Sequence, residues 1–395
     1  MAAVNPNILI WARETAGLDL EAAAKKIGLS AARGVSGADR LAAFEAGDGN
    51  PSGPLLQKMS QQYRRPLLTF YMPKRPKPAE IGQDFRTLPD KGSSSDILLA
   101  ALLRDIKARQ SLVRDTLEDD EDVSEVALVG SKADIKKPNE LADALVDAIG
   151  FNRTEYRGCS SATEAFAYLR TRIEAKGIFV LLAGDCGHWS TQIEVGVFRG
   201  FAIADSLAPF IVVNDQDAKS AWSFTVLHEL AHLLLGETGV SGGAPQAGIE
   251  QLCNDTAAAV LLAPVEISAL ALNGGSEDIV QINELADRAR VSRTMITYQL
   301  FRAGRITFDQ WEVLRDRFRT EWLASKEREK ENNRAKPGGP SLHVVRRYRL
   351  GPALLALARQ GIADGSLTPT RAGRMLGVKP MSVYPLIAEP KRAFG

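Results

Sequence analysis

The segment Phe224-Thr-Val-Leu-His-Glu-Leu-Ala-His232 lies inside an apolar run from Trp222 to Leu235 and contains two of the four histidines of the chain. The length and composition of this run predict a helix that is buried on most of its surface. Because a helix has 3.6 residues per turn, His228 and His232 lie on one face, one turn apart. Two core histidines without a metal are the alternative, but burying them in so apolar a helix is costly without a partner.

Glu229 follows the first histidine and completes the pattern His-Glu-x-x-His, which is typical of zinc peptidases. In such sites the two imidazoles bind Zn²⁺, and the metal acidifies a water molecule and polarises the scissile carbonyl. The glutamate takes a proton from the water and later delivers it to the leaving amine. We therefore predict that His228 and His232 are zinc ligands and that Glu229 is the catalytic acid and base.

A catalytic zinc site needs a third protein ligand and an open position. The metzincin type of site is excluded because its ligand position is occupied by Thr238. Glu250, at the start of a predicted helix that ends at Pro264, fits the type of site in which a glutamate from the next helix completes the set. Glu237 and Asp255 are the alternatives.

Two further residues near this set are polar. Asn254 lies one helical turn after Glu250, so it is predicted to orient a ligand from the second shell by hydrogen bonding. His188 stands in the segment Gly187-His-Trp189, which indicates an exposed turn. A substrate contact is the alternative for His188.

The composition limits the class of protein. A chain of 395 residues predicts about two to three domains. It is 45% hydrophobic and 25% charged with a net charge of +1, so a nucleic-acid surface has to be local. Three widely spaced cysteines argue against a disulfide scaffold. Because no uncharged apolar run reaches roughly 18 residues and no leader pattern is present, we expect a soluble cytoplasmic protein with no membrane partner.

The distribution of apolar, polar and glycine residues along the sequence predicts an α+β fold with helical regions at both ends. Short apolar runs at 178–183, 193–197, 201–204 and 210–213 indicate a small sheet, antiparallel at least in part. The predicted segments are an all-α domain (1–75), a linker rich in Pro, Lys, Gly and Ser (76–96), a zinc metallopeptidase domain (97–325), a charged linker (326–341) and a helical C-terminal region (342–395). Residues 343–395 carry nine Lys/Arg and two acidic residues, a net charge of +7.

Several segments resemble the ImmA/IrrE family of intracellular metallopeptidases over roughly residues 97–310. They are Phe198-Arg-Gly-Phe-Ala-Ile-Ala-Asp205, Ala208-Pro-Phe-Ile-Val-Val-Asn214, Phe224-Thr-Val-Leu-His-Glu-Leu-Ala-His232, Glu250 with Asn254, and Ala258-Ala-Val-Leu-Leu-Ala-Pro264. The resemblance implies a zincin-like domain in which His228, His232 and Glu250 bind zinc and Glu229 is catalytic. Family members are associated with cleavage of repressor or regulator proteins after stress, and some longer ones accompany toxin genes as antitoxins.

The N-terminal region resembles the XRE-type helix-turn-helix domain that often precedes that peptidase. The resemblance is carried by Glu45-Ala-Gly47, Pro51-Ser52, Arg65-Pro66 and Asp84-Phe-Arg-Thr-Leu-Pro89. The segment between Ser30 and Leu41 departs from the family pattern, being longer and richer in glycine, and leaves Arg33 and Arg40 as the main candidates for base contacts. With a net charge of only +4 in residues 1–75, double-stranded DNA binding and protein docking or dimerisation both remain open.

Two hypotheses follow. The first is an intracellular zinc endopeptidase coupled to a helix-turn-helix domain, with a repressor or regulator as substrate in a stress, mobile-element or toxin–antitoxin context. A co-encoded toxin is the alternative protein partner, and the oligomeric state stays open, with a dimer among the options. The second hypothesis is a DNA-binding transcriptional regulator or antitoxin whose zinc site is structural or vestigial.

Overall fold

The computed structural model of the chain describes residues 3–76, 94–120, 122–188, 191–237, 239–241, 247–272, 276–335 and 341–388. These residues form two units. The first comprises Met1–Asp105 with Asp185–Ile193, and the second comprises Ile106–Gly184 with Glu194–Gly395. Most of the predicted linker 76–96, including Asp84–Pro89, lies outside the described residues.

The N-terminal part of the first unit is entirely helical. Its elements are α1 (Pro6–Glu14), α2 (Leu20–Ile27), α3 (Gly37–Ala46), α4 (Gly53–Tyr63) and a short 3₁₀ helix (Leu67–Tyr71). Asp19 caps α2 by accepting a hydrogen bond from the backbone N–H of Ala22, and Gly28 ends it in the left-handed conformation. The predicted helix over 20–27 and the turn at Gly28 are therefore confirmed. These helices enclose a small core of their own, which includes Ile8, Leu41 and Tyr63.

The second unit contains most of the helices and the sheet. Its helices are α5 (Ser94–Glu118), which begins in the first unit, α6 (Pro138–Ile149), α7 (Arg153–Gly158), α8 (Ala162–Glu174), α9 (Lys219–Leu235), α10 (Ala247–Leu261), α11 (Pro264–Ser268), α12 (Ser276–Ala289), α13 (Arg293–Arg302), α14 (Phe308–Ala335), α15 (Leu342–Leu350), α16 (Pro352–Ala363), α17 (Pro369–Met375) and α18 (Val383–Ile387). Residues 326–335, expected to begin a linker, continue α14. Among the described residues, no helix is both long and apolar enough to span a membrane.

The sheet has four short strands, β1 (Phe179–Leu182), β2 (Gly200–Ile203), β3 (Phe210–Val213) and β4 (Gly239–Ser241), in the order β1-β3-β2-β4. β1 pairs with β3 in parallel, whereas β2 is antiparallel to both β3 and β4. The chain thus has an α+β fold, and the expected partly antiparallel sheet is confirmed. The expected strand over 193–197 is wrong, because these residues form a turn in which the N–H of Val197 donates to the carbonyl of Glu194.

Helix α9 lies at the centre of the second unit, packed against α6, α8, α10, β2 and β3. The leucines on its last turns, Leu230, Leu233 and Leu234, are buried in the main hydrophobic core. Helix and strands surround α9 on several sides, which agrees with its apolar composition. The candidate site residues are therefore held on a rigid, enclosed element.

The C-terminal helices are part of the same unit. Helix α15 packs against β1 and α16 against α8. The buried Arg170 of α8 donates to the backbone carbonyls of Tyr348 and Arg349 and pairs with Glu174, which in turn accepts from the N–H of Ala353. Residues 342–353 are thus anchored to the sheet and to α8 by buried polar contacts.

Candidate metal centre

His228 and His232 lie one turn apart on α9, as their spacing predicts. Each is only 3% exposed, and the two Nε2 atoms are 3.1 Å apart. Two nitrogens held at 2.0–2.1 Å from one ion with tetrahedral angles would be separated by about 3.3 Å. The two imidazoles therefore converge at a spacing that suits a shared metal ion.

Glu250, in the first turn of α10, brings a carboxylate to the same point. Its Oε1 is 3.1 Å from Nε2 of His232 and its Oε2 is 3.4 Å from Nε2 of His228. The two alternatives do not join this group: Glu237 is exposed, and Asp255 forms an ion pair with Arg302 at 3.2 Å. His228, His232 and Glu250 thus form a group that could hold a metal ion.

The donor set fits a divalent metal. It offers two imidazole nitrogens and one carboxylate, the set of a catalytic zinc site that keeps a fourth position for water or substrate. The Nε2 atoms of both histidines are the ones turned toward Glu250, and their buried Nδ1 atoms form no hydrogen bond with the described residues. The ligand atoms of the three residues all lie within 4.8 Å of one another.

The electrostatics of the centre favour a positive charge beside an anionic carboxylate. Burial opposes the charged form of His232, but the neighbouring Cys253 thiol and the Glu250 carboxylate outweigh it and raise the pKa of His232 to about 11. Burial likewise opposes ionisation of Glu250, yet His228 and His232 outweigh it and lower its pKa to about 2. The carboxylate is therefore ionised at neutral pH, the form in which it binds metals, whereas His232 has to release its proton when a metal binds.

Glu229 lies on α9 between the two histidines in sequence and is fully buried. It is close enough to His232 to contribute to the raised pKa of that residue. Its carboxylate approaches the backbone of β2 at Gly200, and it is not one of the three groups that converge. Glu229 is thus placed beside the centre without being part of the ligand group.

Cys253 is the residue at this site that the sequence reasoning missed. It is fully buried, lies three residues after Glu250 on α10, and its thiol is near His232. The spacing from Glu250 places it on the same helix face and could have revealed it. Asn254, predicted to support a ligand, is half-buried and makes no side-chain hydrogen bond to the described residues, so its role stays a prediction.

His188 belongs to the first unit and is exposed, in a bend where its carbonyl accepts a hydrogen bond from the Thr191 hydroxyl. This agrees with the expected exposed turn. A substrate contact for His188 stays a prediction.

A His/His/Glu group on two packed helices, with both histidines buried, is a kind of site found in metal-dependent peptidases. The comparison with protein families agrees: the model for the IrrE N-terminal-like domain of peptidase family M78 matches residues 190–301. The matched region contains α9 and α10 with all three converging residues, and it supports the ImmA/IrrE resemblance and a metallopeptidase-type function. The match does not extend to residues 1–75. No curated protein and no solved structure matches the chain.

Proposed function

We propose that the protein is a zinc-dependent endopeptidase in which His228, His232 and Glu250 bind the metal and Glu229 is the catalytic acid and base. The observation that carries the proposal is the convergence of two buried Nε2 atoms and one carboxylate within 3.1–3.4 Å. The match to the IrrE N-terminal-like domain over the same helices supports it. Zinc is the metal we propose because imidazole and carboxylate donors in an open three-residue site suit it.

When bound, zinc would supply a Lewis acid for the scissile carbonyl and an acidic water at neutral pH. The other steps belong to the protein. Glu229 is held on the same helix as both histidines, so its distance from them is fixed by helix geometry. Its carboxylate accepts a proton as water attacks and donates that proton to the leaving amine. Burial of both histidines and of Glu229 strengthens each of these charge interactions, while the partly exposed Glu250 marks the side open to solvent.

The test is Glu229→Gln, with Glu237→Gln as a matched control on an exposed glutamate. Each protein is purified without chelator, its zinc content is measured by mass spectrometry, and cleavage of the repressor or regulator encoded beside it is followed by gel and by peptide mapping. We expect E229Q to retain zinc and to lose cleavage by about 100-fold or more, the contribution typical of general acid–base catalysis. An E229Q variant as active as wild type would show that Glu229 is not the catalytic acid and base. A wild-type protein that contains no zinc would contradict the proposed metal site.

We propose further that the N-terminal unit selects where the peptidase acts, as a helix-turn-helix domain coupled to it. The support is the pair α2 and α3, which pack against each other in a small helical unit with its own core. A tight turn at Ala32–Val35, with Arg33 exposed, precedes α3. On this proposal the domain brings the enzyme to a repressor, a regulator or a co-encoded toxin, either directly or through double-stranded DNA.

The second hypothesis, a DNA-binding regulator or antitoxin with a structural zinc site, draws on the basic C-terminal region. Three of its arginines form hydrogen bonds or an ion pair within the second unit. Arg347 donates to the carbonyls of Pro385 and Ala388, Arg359 donates to that of Ile387, and Arg349 pairs with Asp215. The N-terminal unit and the remaining basic residues of the C-terminal region are therefore both candidates for a DNA contact.

Binding of the full-length protein to its upstream promoter tests the DNA hypothesis. Binding through phosphates should weaken steeply as salt rises, because each neutralised phosphate releases counterions. Arg33→Ala should weaken it, whereas Lys137→Ala, at an exposed residue just before α6 in the second unit, should not. Binding that is absent, or independent of salt, would count against a DNA-binding role.

A further inference from the structure

Gly200 is the point at which the sheet approaches the candidate catalytic glutamate. It lies in β2, where it pairs with Val213 of β3 and Ser241 of β4. A β-carbon built on Gly200 would lie 2.8 Å from Oε1 of Glu229 and 2.7 Å from Cγ2 of Thr225. Non-bonded carbon atoms need about 3.5–4.0 Å. The strand therefore meets the helix at Glu229 through bare backbone.

The backbone conformation does not account for a glycine here. The φ angle of Gly200 does not lie in the left-handed range between +20° and +160°, so a residue with a side chain could adopt the same backbone conformation. A glycine inside a strand weakens the strand, and its usual reason is the close approach of another group. The group that approaches Gly200 is the side chain of Glu229, together with the methyl group of Thr225.

We propose that Gly200 is a positioning residue for Glu229: the missing side chain allows the carboxylate to lie against β2, beside the histidine pair. The inference rests on the proposed function, because it concerns the residue that carries the proton there. It adds a requirement for a glycine in β2, and the His-Glu-x-x-His pattern does not contain that requirement.

A new methyl group would meet three atoms: Cγ2 of Thr225, and Oε1 and Cγ of Glu229, the last at 3.1 Å. The two side chains differ in their freedom to move. Thr225 is branched at Cβ, and its hydroxyl donates to the carbonyl of Ala221 at 3.2 Å, so its side chain is held. Oε1 of Glu229 is at the end of a flexible side chain. Alanine at position 200 should therefore displace the Glu229 carboxylate, and a shift of about 1 Å at a reacting group can cost 100-fold in rate.

The experiment compares wild type with Gly200→Ala, Thr225→Ser, the double variant G200A/T225S, and Gly196→Ala as control. Thr225→Ser removes the methyl group in question but keeps the hydroxyl, so the double variant isolates the contact with Glu229. Gly196 lies just before β2 with nothing within 4 Å of a new β-carbon. Zinc affinity is measured by competition with a chromophoric chelator, and kcat and KM are measured with a quenched-fluorescence peptide library.

We expect G200A and G200A/T225S to bind zinc as wild type does, with KM unchanged and kcat reduced on the order of 10-fold to 100-fold. T225S and G196A should keep the wild-type kcat. Wild-type kcat in zinc-loaded G200A would overturn the inference. Loss of zinc in G200A would also overturn it, because the strand would then be shaping the metal centre and not the position of Glu229.

A second measurement does not depend on activity. The fall in Tm caused by G200A is determined in the wild-type protein and in Glu229→Ala, where the clashing carboxylate is gone. We expect a smaller fall in E229A, since the effects of substitutions on stability are not additive when the two residues are in contact. Equal falls in both backgrounds would show that the two residues do not meet. If the wild-type enzyme hydrolyses no peptide while the two falls differ, the peptidase proposal fails and the contact stands.

Discussion

Oε1 of Glu250 and Nε2 of His232 lie 3.1 Å apart although they come from different helices. The two histidines are fixed by a single turn of α9, whereas the carboxylate arrives with α10. The metal centre is therefore complete only when these two helices are packed together, and a bound metal should stabilise that packing.

Replacing Glu250 by Gln should lower zinc affinity by about 10-fold or more, because the ion would lose its only anionic protein ligand in the proposed set. Peptide hydrolysis should fall in parallel. The exposed Glu237, replaced by Gln, is the matched control and should bind zinc normally. Affinity is read from competition with a chelator, and an E250Q protein with wild-type affinity would point to another third ligand.

Removing the metal should lower thermal stability. A ligand that binds the folded protein alone stabilises it by about 2.7 kcal/mol at 100 times its dissociation constant. Scanning calorimetry with and without a chelator should therefore show a higher Tm for the zinc-loaded protein, and E250Q should lose this difference. An identical Tm for wild type in both conditions would contradict the predicted coupling between metal and helix packing.

Cys253→Val should weaken zinc binding by about 10-fold, since residues that support a metal-binding histidine typically contribute 10-fold to 100-fold in affinity. Valine is branched and one heavy atom larger than cysteine, and it has no polar atom to place beside His232. Cys253→Ser, which keeps a polar group, should bind more tightly than C253V. Equal affinities for these two variants would mean that the thiol acts only by packing.

Arg170→Met should destabilise the second unit by about 3–5 kcal/mol, the usual effect of leaving one partner of a buried ion pair alone. The variant also loses the hydrogen bonds that reach the backbone of Tyr348 and Arg349. Lys137→Met removes the exposed pair with Glu140 and should change the unfolding free energy far less, because solvent screens that pair. Urea unfolding followed by circular dichroism measures both.

Asp205 should make stability depend on pH below about 4. Burial opposes its ionisation, but the N–H groups of Ala208 and Leu207 and the guanidinium of Arg114 outweigh burial and hold the pKa of the carboxyl below its ordinary value. A lowered folded-state pKa stabilises the protein above the unfolded-state value, and that contribution is lost as pH falls toward the folded-state value. Asp205→Asn should therefore cost roughly 1–3 kcal/mol at pH 7, and its difference from wild type should shrink toward pH 3. A constant difference would exclude ionisation as the cause.

The sequence could predict the parts of the site that depend on one helix. The spacing of His228 and His232 is a local property, and Glu250 could be selected because it opens the next helix. The contact of Gly200 with Glu229 could not be predicted in this way, because it requires the pairing and tilt of β2 relative to α9. Cys253 was missed although its spacing from Glu250 is helical, since a cysteine in an apolar run also suits a core position.

The sheet shows the same limit. The apolar runs of β1 and β3 could be recognised because both strands are fully buried. The segment 193–197, Ile-Glu-Val-Gly-Val, has three β-branched residues but forms a turn, and β4 lies in a glycine-rich segment with little strand preference. Strand pairing, which the composition does not encode, decided both cases.

The anchoring of residues 342–353 on α8 and β1 has a practical consequence for work with shortened proteins. A protein that ends before Leu342 would retain every proposed metal ligand. It would, however, expose the apolar side of β1 that α15 and α16 cover, and it would leave Arg170 and Glu174 without their contacts to residues 348–353. Aggregation or inactivity of such a fragment would then report lost support for the sheet, and it would say nothing about the chemistry of the centre.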